Sequence, residues 1–231
     1  MRNIEYTKMA YLYDKFYSNK KYSKEVEFLT SLISRKDCEI LDAGCGTGNH
    51  AKLLHELGYS VHGFDQSKEM VEIANSKINN CFYVANLLDL ESEAKYDLII
   101  SFFAVFNHLK NYAQFKKALF NLKECLKEHG TIIIDLHNPQ NSGEKTESID
   151  GAIRIMKWKK CKLLSKEFTK ITYIVDENKY VTKHTFKIFD INKLDKIAKK
   201  LGFLNVKFCE NYDIESCASK YSKNIQMILS I

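Results

Sequence analysis

The stretch of this sequence best equipped for chemistry is Glu39-Ile-Leu-Asp-Ala-Gly-Cys-Gly-Thr-Gly-Asn49, followed by Asp65 about 17 residues past Gly48. Gly44, Gly46 and Gly48 carry no Cβ, so the turn can take backbone angles closed to other residues and a ligand can approach its peptide groups closely. A helix opening at Asn49 would aim its first N–H groups at a ligand of negative or partial negative charge. Asp42 stands before the turn. Asp65 ends the next strand, Ser60-Val-His-Gly-Phe64, where a ribose diol is gripped in nucleotide-binding α/β folds. The spacing is G-x-G-x-G, which is neither the G-x-G-x-x-G of dinucleotide binders nor the G-x-x-x-x-G-K-[ST] of phosphate loops.

Alternating strands and helices are needed to position these groups. Ile40 and Leu41 close a short buried strand, and Leu53, Leu54 and Leu57 recur at helical spacing up to Gly58. Ser67 is placed to cap a helix carrying Met70, Val71, Ile73 and Ala74. Cys81–Ala85, Tyr96–Phe103 and Thr131–His137 read as strands, the last two apolar enough for the middle of a parallel sheet, with an amphipathic helix over 111–128 between them. Right-handed βαβ units follow from that alternation. Upstream, residues 4–34 read as helical, with an aromatic stripe (Tyr6, Met9, Tyr13, Phe16, Tyr17) and a polar break at Ser18-Asn19-Lys20-Lys21. This segment, about 1–34, is expected to form a lid. Beyond Pro139 the pattern changes. Gln140–Thr146 reads as loop, and alternation over 152–189 predicts an antiparallel flap with a hairpin turn at Asp176–Lys179. A helix over Ile191–Leu201 and two closing strands, paired antiparallel at the sheet edge, complete a single domain of residues 1–231.

Composition sets bounds. The chain has 231 residues, 45% of them hydrophobic, enough for one sizeable core. It has no apolar run long enough to span a bilayer and no signal-peptide core at its start, so no membrane partner is expected. Seven cysteines without C-x-x-C spacing predict reduced thiols, a cytoplasmic setting and no metal site. The net charge of +6 comes from lysines spread along the chain, which suits a solvated surface better than a nucleic-acid face.

"LDAGCGTG" with "GFD" resembles the first motif and acidic follow-up of class I S-adenosylmethionine-dependent methyltransferases. The resemblance implies a seven-stranded, mostly parallel sheet with helices on both faces, the antiparallel flap being inserted before the last helix. It also implies that Asp42, Gly44, Gly46 and Gly48 border the homocysteine portion of S-adenosylmethionine (S-adenosylhomocysteine as product) and that Asp65 accepts from both ribose hydroxyls. Gln66 and Met70 would flank adenine and ribose, and Asn86-Leu87 would border the adenine edge. Asn86 stands where many relatives have Asp; it can accept from the adenine amine but has no charge.

The order of features also resembles the nucleotide-linked amino-sugar N-methyltransferases, through "YDKFY", "LDAGCGTGNH", "SFFAVFNHL" and "FKIFDINKLDKIAKKLGF". In that family a tyrosine and a histidine border the acceptor amine; the matching positions are Tyr13 and His108. An imidazole at the carboxyl edge of the sheet could act as a base or only orient the acceptor. The [DNS]-P-P-[FYW] tetrapeptide of nucleic-acid amino-methyltransferases is absent after the fourth strand, and the sole proline precedes Gln140 rather than a cysteine. The expected reaction is methyl transfer to an amine or hydroxyl of a small, nucleotide-linked or similarly anionic metabolite. An RNA methyltransferase and a S-adenosylmethionine-binding protein without catalysis are the alternatives. The flap, aromatic on more than one face, would recognise substrate or form a homodimer surface.

Overall fold

The computed structural model describes residues 2–231 other than 19, 34 and 92, with the side chains of 2–7 also outside the description. Tyr6 of the aromatic stripe and Asn19 of the polar break therefore lie outside it. The main sheet contains β1 (Glu39–Ala43), β2 (Ser60–Asp65), β3 (Phe82–Val84), β4 (Tyr96–Ser101), β5 (Leu126–His137), β10 (Asn205–Glu210) and β11 (Asn224–Ser230). Its order is β10-β11-β5-β4-β1-β2-β3, parallel except that β11 runs antiparallel to both of its neighbours. The parallel βαβ core is what the alternation predicts, and the seven strands are what the resemblance implies.

Ile40, Leu41, Ile99, Ile100 and Ile132–Ile134 have no exposed surface, as strands covered on both faces require. One face packs Leu41, Ile99 and Ile134 under α5 (Tyr112–Glu124) and α6 (Ile191–Lys200). The other packs Ile40, Ile100 and Ile133 under α2 (Ser23–Ser31), α3 (Asn49–Glu56) and α4 (Lys68–Lys77). Preceding them, α1 (Arg2–Ser18) lies against α4, where Asp14 pairs with Lys77 and accepts from the Asn49 amide. Among the described residues no helix is long and apolar enough to cross a membrane.

A second, antiparallel sheet contains β6 (Gly143–Ile149), β7 (Ala152–Cys161), β8 (Lys166–Val175) and β9 (Asn178–Lys187). Leu12 and Phe16 of α1 pack on its Ala152 and Tyr173. Two stretches differ from the sequence reading. From Gly143 the expected loop is strand β6, whose residues are too exposed and polar to show alternation; pairing with β7 organises them. The amphipathic helix stops at Glu124 and Leu126–Gly130 already belongs to β5, because the Tyr96 N–H takes the Cys125 carbonyl at 2.8 Å and the pairing with β4 then shifts register.

Asn107 joins the two sheets. Buried in the turn after β4, its amide donates to the carbonyls of His137 (2.9 Å) and Lys187 (2.7 Å), while its oxygen accepts the His137 N–H at 2.9 Å. Asn107→Ala leaves three part-buried backbone groups without this partner and is expected to lower the urea-unfolding free energy by about 2–4 kcal/mol. A loss below about 0.5 kcal/mol would mean the joint is held by something else.

Candidate active site

The ends of β1 and β2 build the site. Gly44, Gly46 and Gly48 all take left-handed φ, at +81°, +54° and +76°. The N–H groups of Gly44 and Cys45 both donate to the Phe64 carbonyl, at 2.8 and 2.9 Å, lashing the turn to β2. Asp65 completes the tie: Oδ2 accepts the Gly46 N–H at 3.0 Å and Oδ1 the Ser67 N–H at 2.9 Å. A Cβ at Gly44 would sit 2.6 Å from Val105, whereas one at Gly46 would meet nothing within 4 Å. That open side is where a ligand can lie along bare peptide groups.

Two acids face this cradle. Asp42 is 2% exposed and its Oδ2 has no hydrogen-bond partner among the described residues. Burial first, and then the charge of Asp65, push its carboxyl up to about 7. Burial also raises the pKa of Asp65, against the opposing effect of the N–H groups of Ser67, Gly46 and Gln66. An orphaned buried oxygen beside an open glycine cradle fits a ligand that brings its own donor. Across the next strand end, the Ala85 N–H bonds the Asp65 carbonyl at 3.1 Å, which sets Asn86 beside Gln66, amide to amide at 3.4 Å. The Asn86 oxygen also accepts the Leu88 N–H at 2.9 Å. Leu87 is buried, and half-buried Met70 sits where Ser67 caps α4 by accepting its N–H at 3.3 Å. The structure thus brings Asp42, the three glycines, Asp65, Gln66, Asn86 and Leu87 to one edge.

The opposite wall comes from the end of β4. Phe103 and Ala104 both take left-handed φ, at 62° and 59°, and the chain turns through a short 3₁₀ segment, Val105–His108. Asp135 on β5 accepts the Phe103 N–H at 3.2 Å and holds this bend. The Phe103 ring meets Tyr17 at 5.4 Å, and Tyr17 meets Tyr13 at 4.5 Å. Burial, with Tyr17, Tyr22, Tyr173 and Asp65 adding to it, drives the Tyr13 phenol well above its ordinary pKa, so it remains a proton donor. His108 is exposed along one side, yet its ring rests on Phe186 at 4.6 Å and near His184 at 5.8 Å. Desolvation by those walls, and then His184, push it down to about 4, so it is neutral and weakly basic at pH 7.

Sequence reasoning missed four groups here. Asn107, Asp135, His137 and Arg154 all face this edge or its cover, and Asp135 and His137 show a legible signal: polar residues two apart at the end of an otherwise apolar strand. Arg154 on β7 is 3% exposed; its guanidinium lies 4.8 Å from the Phe16 ring centre and 4.5 Å from that of Tyr17, and it pairs with Glu147. No alternation pattern announces a buried arginine. Among the described residues no group of three or more His, Cys, Asp or Glu is arranged to hold a metal ion.

Residues 40–130 match the family model described as a methyltransferase domain. An uncharacterised protein of Methanocaldococcus jannaschii is 34% identical over 201 residues, covering 86% of this chain and 74% of that one. Other curated relatives are spanned over little more than half of their own length, 58% and 56%. Among solved structures, an S-adenosylmethionine-dependent methyltransferase from Clostridium acetobutylicum matches with a TM-score of 0.81 at 20% identity, over 98% of both chains. A sugar N-methyltransferase from Streptoalloteichus matches with a TM-score of 0.78 at 15% identity, over 94% of this chain and 92% of the other.

The raised acid at Asp42 has a measurable sign. An unfolded aspartate titrates near ~3.9, so between about 4 and about 7 the folded chain holds the extra proton, and this group removes stability as pH rises through that window. Asn at this position keeps the shape without titrating. Asp42→Asn is therefore expected to gain on the parent by about 2–4 kcal/mol between pH ~4 and pH ~8 in urea unfolding. A gap that stays constant with pH would show Asp42 to be an ordinary acid.

Proposed function

This chain belongs to the class I S-adenosylmethionine-dependent methyltransferases, and on that premise we propose that it methylates an amine or hydroxyl of a small anionic metabolite, in the first instance a nucleotide-linked sugar. The observation that carries the reading is the cover over the carboxyl edge. Helix α1 is tied to α4 through Asp14 and Lys77, and the second sheet is packed on α1 with Arg154 buried between them. Such a roof sets the rings of Tyr13, Tyr17 and Phe103 over the edge, a cover that suits a small acceptor better than an RNA helix. Residues of about 1–34 then act as the lid, and about 152–189 as the flap. The match over nearly the whole chain to a sugar N-methyltransferase supports this choice.

S-adenosylmethionine, when bound, supplies a methyl on a positively charged sulfur, an electrophile ready for in-line displacement. The protein's own work is to hold and align. In this reading Asp42 and the glycine turn receive the homocysteine portion, whose ammonium answers the orphaned Asp42 oxygen. Asp65 accepts from the ribose hydroxyls, Gln66 and Met70 flank the ring system, and Asn86-Leu87 border adenine. Tyr13 and His108 border the acceptor, the phenol as donor and the neutral imidazole as a polar wall. Positioning the acceptor atom about 3 Å from the methyl carbon provides most of the acceleration. All seven cysteines are free thiols, consistent with the cytoplasmic setting. On the outer face of the flap, Ile153, Phe168 and Val181 are exposed, which supports a homodimer surface there.

Two results test the reading. Asp65→Ala leaves two ribose hydroxyls unpaired and is expected to weaken S-adenosylmethionine binding about 5- to 150-fold, or about 1–3 kcal/mol, by calorimetry. Unchanged affinity would remove Asp65 from the cofactor. Tritium from methyl-labelled S-adenosylmethionine is expected to enter thymidine- or uridine-diphosphate amino sugars and not bulk tRNA. Label in tRNA far above a heat-killed control would overturn the small-molecule reading.

A further inference from the structure

The last residue of β5 sits under the second sheet beside a carboxylate of that sheet, whereas buried His50, after the glycine turn, lies by Glu25 of α2. His137 Nε2 lies 3.1 Å from Oε2 of Glu167, a carboxylate on β8 that is only 3% exposed. The other oxygen of Glu167 accepts the Thr169 hydroxyl at 2.6 Å. Among the described residues no lysine or arginine lies within ion-pairing distance of Glu167, and His137 is the ring beside it. Asn107 fixes the backbone of His137 at both N–H and C=O, and Phe186 stands edge-on to its ring at 6.0 Å. Backbone and Nε2 are therefore both fixed, and Nδ1 is the nitrogen left for chemistry.

We propose that His137, oriented by Glu167, takes the proton that the acceptor loses on methylation. This rests on the reading that the acceptor lies beneath the flap. As the acceptor lone pair closes on the methyl carbon, the carbon–sulfur bond breaks with its electron pair going to sulfur. The acceptor N–H or O–H bond then leaves its pair on nitrogen or oxygen and its proton on Nδ1. The sulfonium charge is lost, and an imidazolium stands beside the carboxylate of Glu167.

The two histidines divide by their neighbours. His108 faces His184 and an aromatic wall, which oppose its protonation. His137 faces Glu167 from β8, with Asp135 two residues back on its own strand; Lys160 on β7 stands opposite Glu167, and His184 and His108 lie beyond Phe186. Burial opposes the charge of Glu167, but the hydrogen bonds from His137 and Thr169 outweigh it and leave its pKa below the ordinary carboxylate value. A carboxylate so placed selects the Nε2–H tautomer, keeps Nδ1 bare to accept, and stabilises the charged product.

The test has two readouts on the full chain. The first is imidazole nitrogen NMR of the protein saturated with S-adenosylhomocysteine, in the parent and in Glu167→Gln. Expected is a proton on Nε2 of His137, with ring-nitrogen signals that move in the variant while those of exposed His129 stay. The second is tritium transfer from S-adenosylmethionine to two acceptor pools, a thymidine-diphosphate amino sugar and the ultrafiltered small-molecule fraction of a bacterial extract. Glu167→Gln is expected to lower kcat about tenfold or more and His137→Gln about 10²-fold or more, with S-adenosylmethionine affinity retained as the control on folding. Losing the carboxylate should also move the acid limb of the kcat profile to lower pH. A variant that raises only KM, or leaves the pH profile in place, overturns the proposal and makes the pair a clamp between flap and sheet. Transfer to the extract but not to the sugar nucleotide rejects the substrate reading, and the variants on the extract still decide the base. A parent chain that transfers to neither pool overturns both.

Discussion

One carboxylate and one left-handed turn hold each other in place, and the site follows from that. Asp65 takes the Gly46 N–H, while the Phe64 carbonyl takes those of Gly44 and Cys45. The peptide groups of the turn would otherwise be unpaired at the end of two buried strands, which a folded chain does not tolerate. Because the turn is left-handed at three positions, only residues without a Cβ hold it without strain. The bare α-carbon of Gly44 then admits Val105, and with it the segment that carries His108. The glycine turn and the segment carrying His108 are thus positioned by the same few backbone atoms.

The roof depends on a second set of ties. Asn107 bonds β5 and β9 together through main-chain groups, and Glu167 reaches down from β8 to His137. Arg154 fills the seam between second sheet and α1, its charge met by Glu147 and the faces of Phe16 and Tyr17. Buried arginine is costly unless paired, so its presence in a seam argues for a closed state with a defined geometry rather than loose contact. Helix α1, the second sheet and the edge of the main sheet are joined through these few side chains.

Much of this was legible because the central sheet is fully buried. Runs such as Thr131–Leu136 can only be interior strands, and the G-x-G-x-G spacing marks a turn where the backbone bends left at three glycines. Strand β6 was not legible by alternation, since Gly143–Ile149 is polar and mostly exposed. Its signal lay instead in Asp150-Gly151, whose φ of 43° and 77° makes the tight hairpin turn that this dipeptide favours. His108 was legible as a histidine at the right edge, but not its environment, because Phe186 and His184 arrive from about eighty residues away. For the same reason His137 passed unnoticed: what distinguishes it is Glu167, and that pairing exists only once the second sheet folds over the first.

The central claim is that the Asp65-bound glycine turn is the cofactor cradle. Backbone amide NMR during titration with S-adenosylhomocysteine tests it residue by residue without any acceptor. The expected result is that the amides of Gly44–Asn49, Asp65–Ser67 and Asn86–Leu88 move most, with Gly46 and Ser67 among them as their shared carboxylate turns to the ribose. Saturation with those amides unmoved, and the changes gathered on another face, would contradict it.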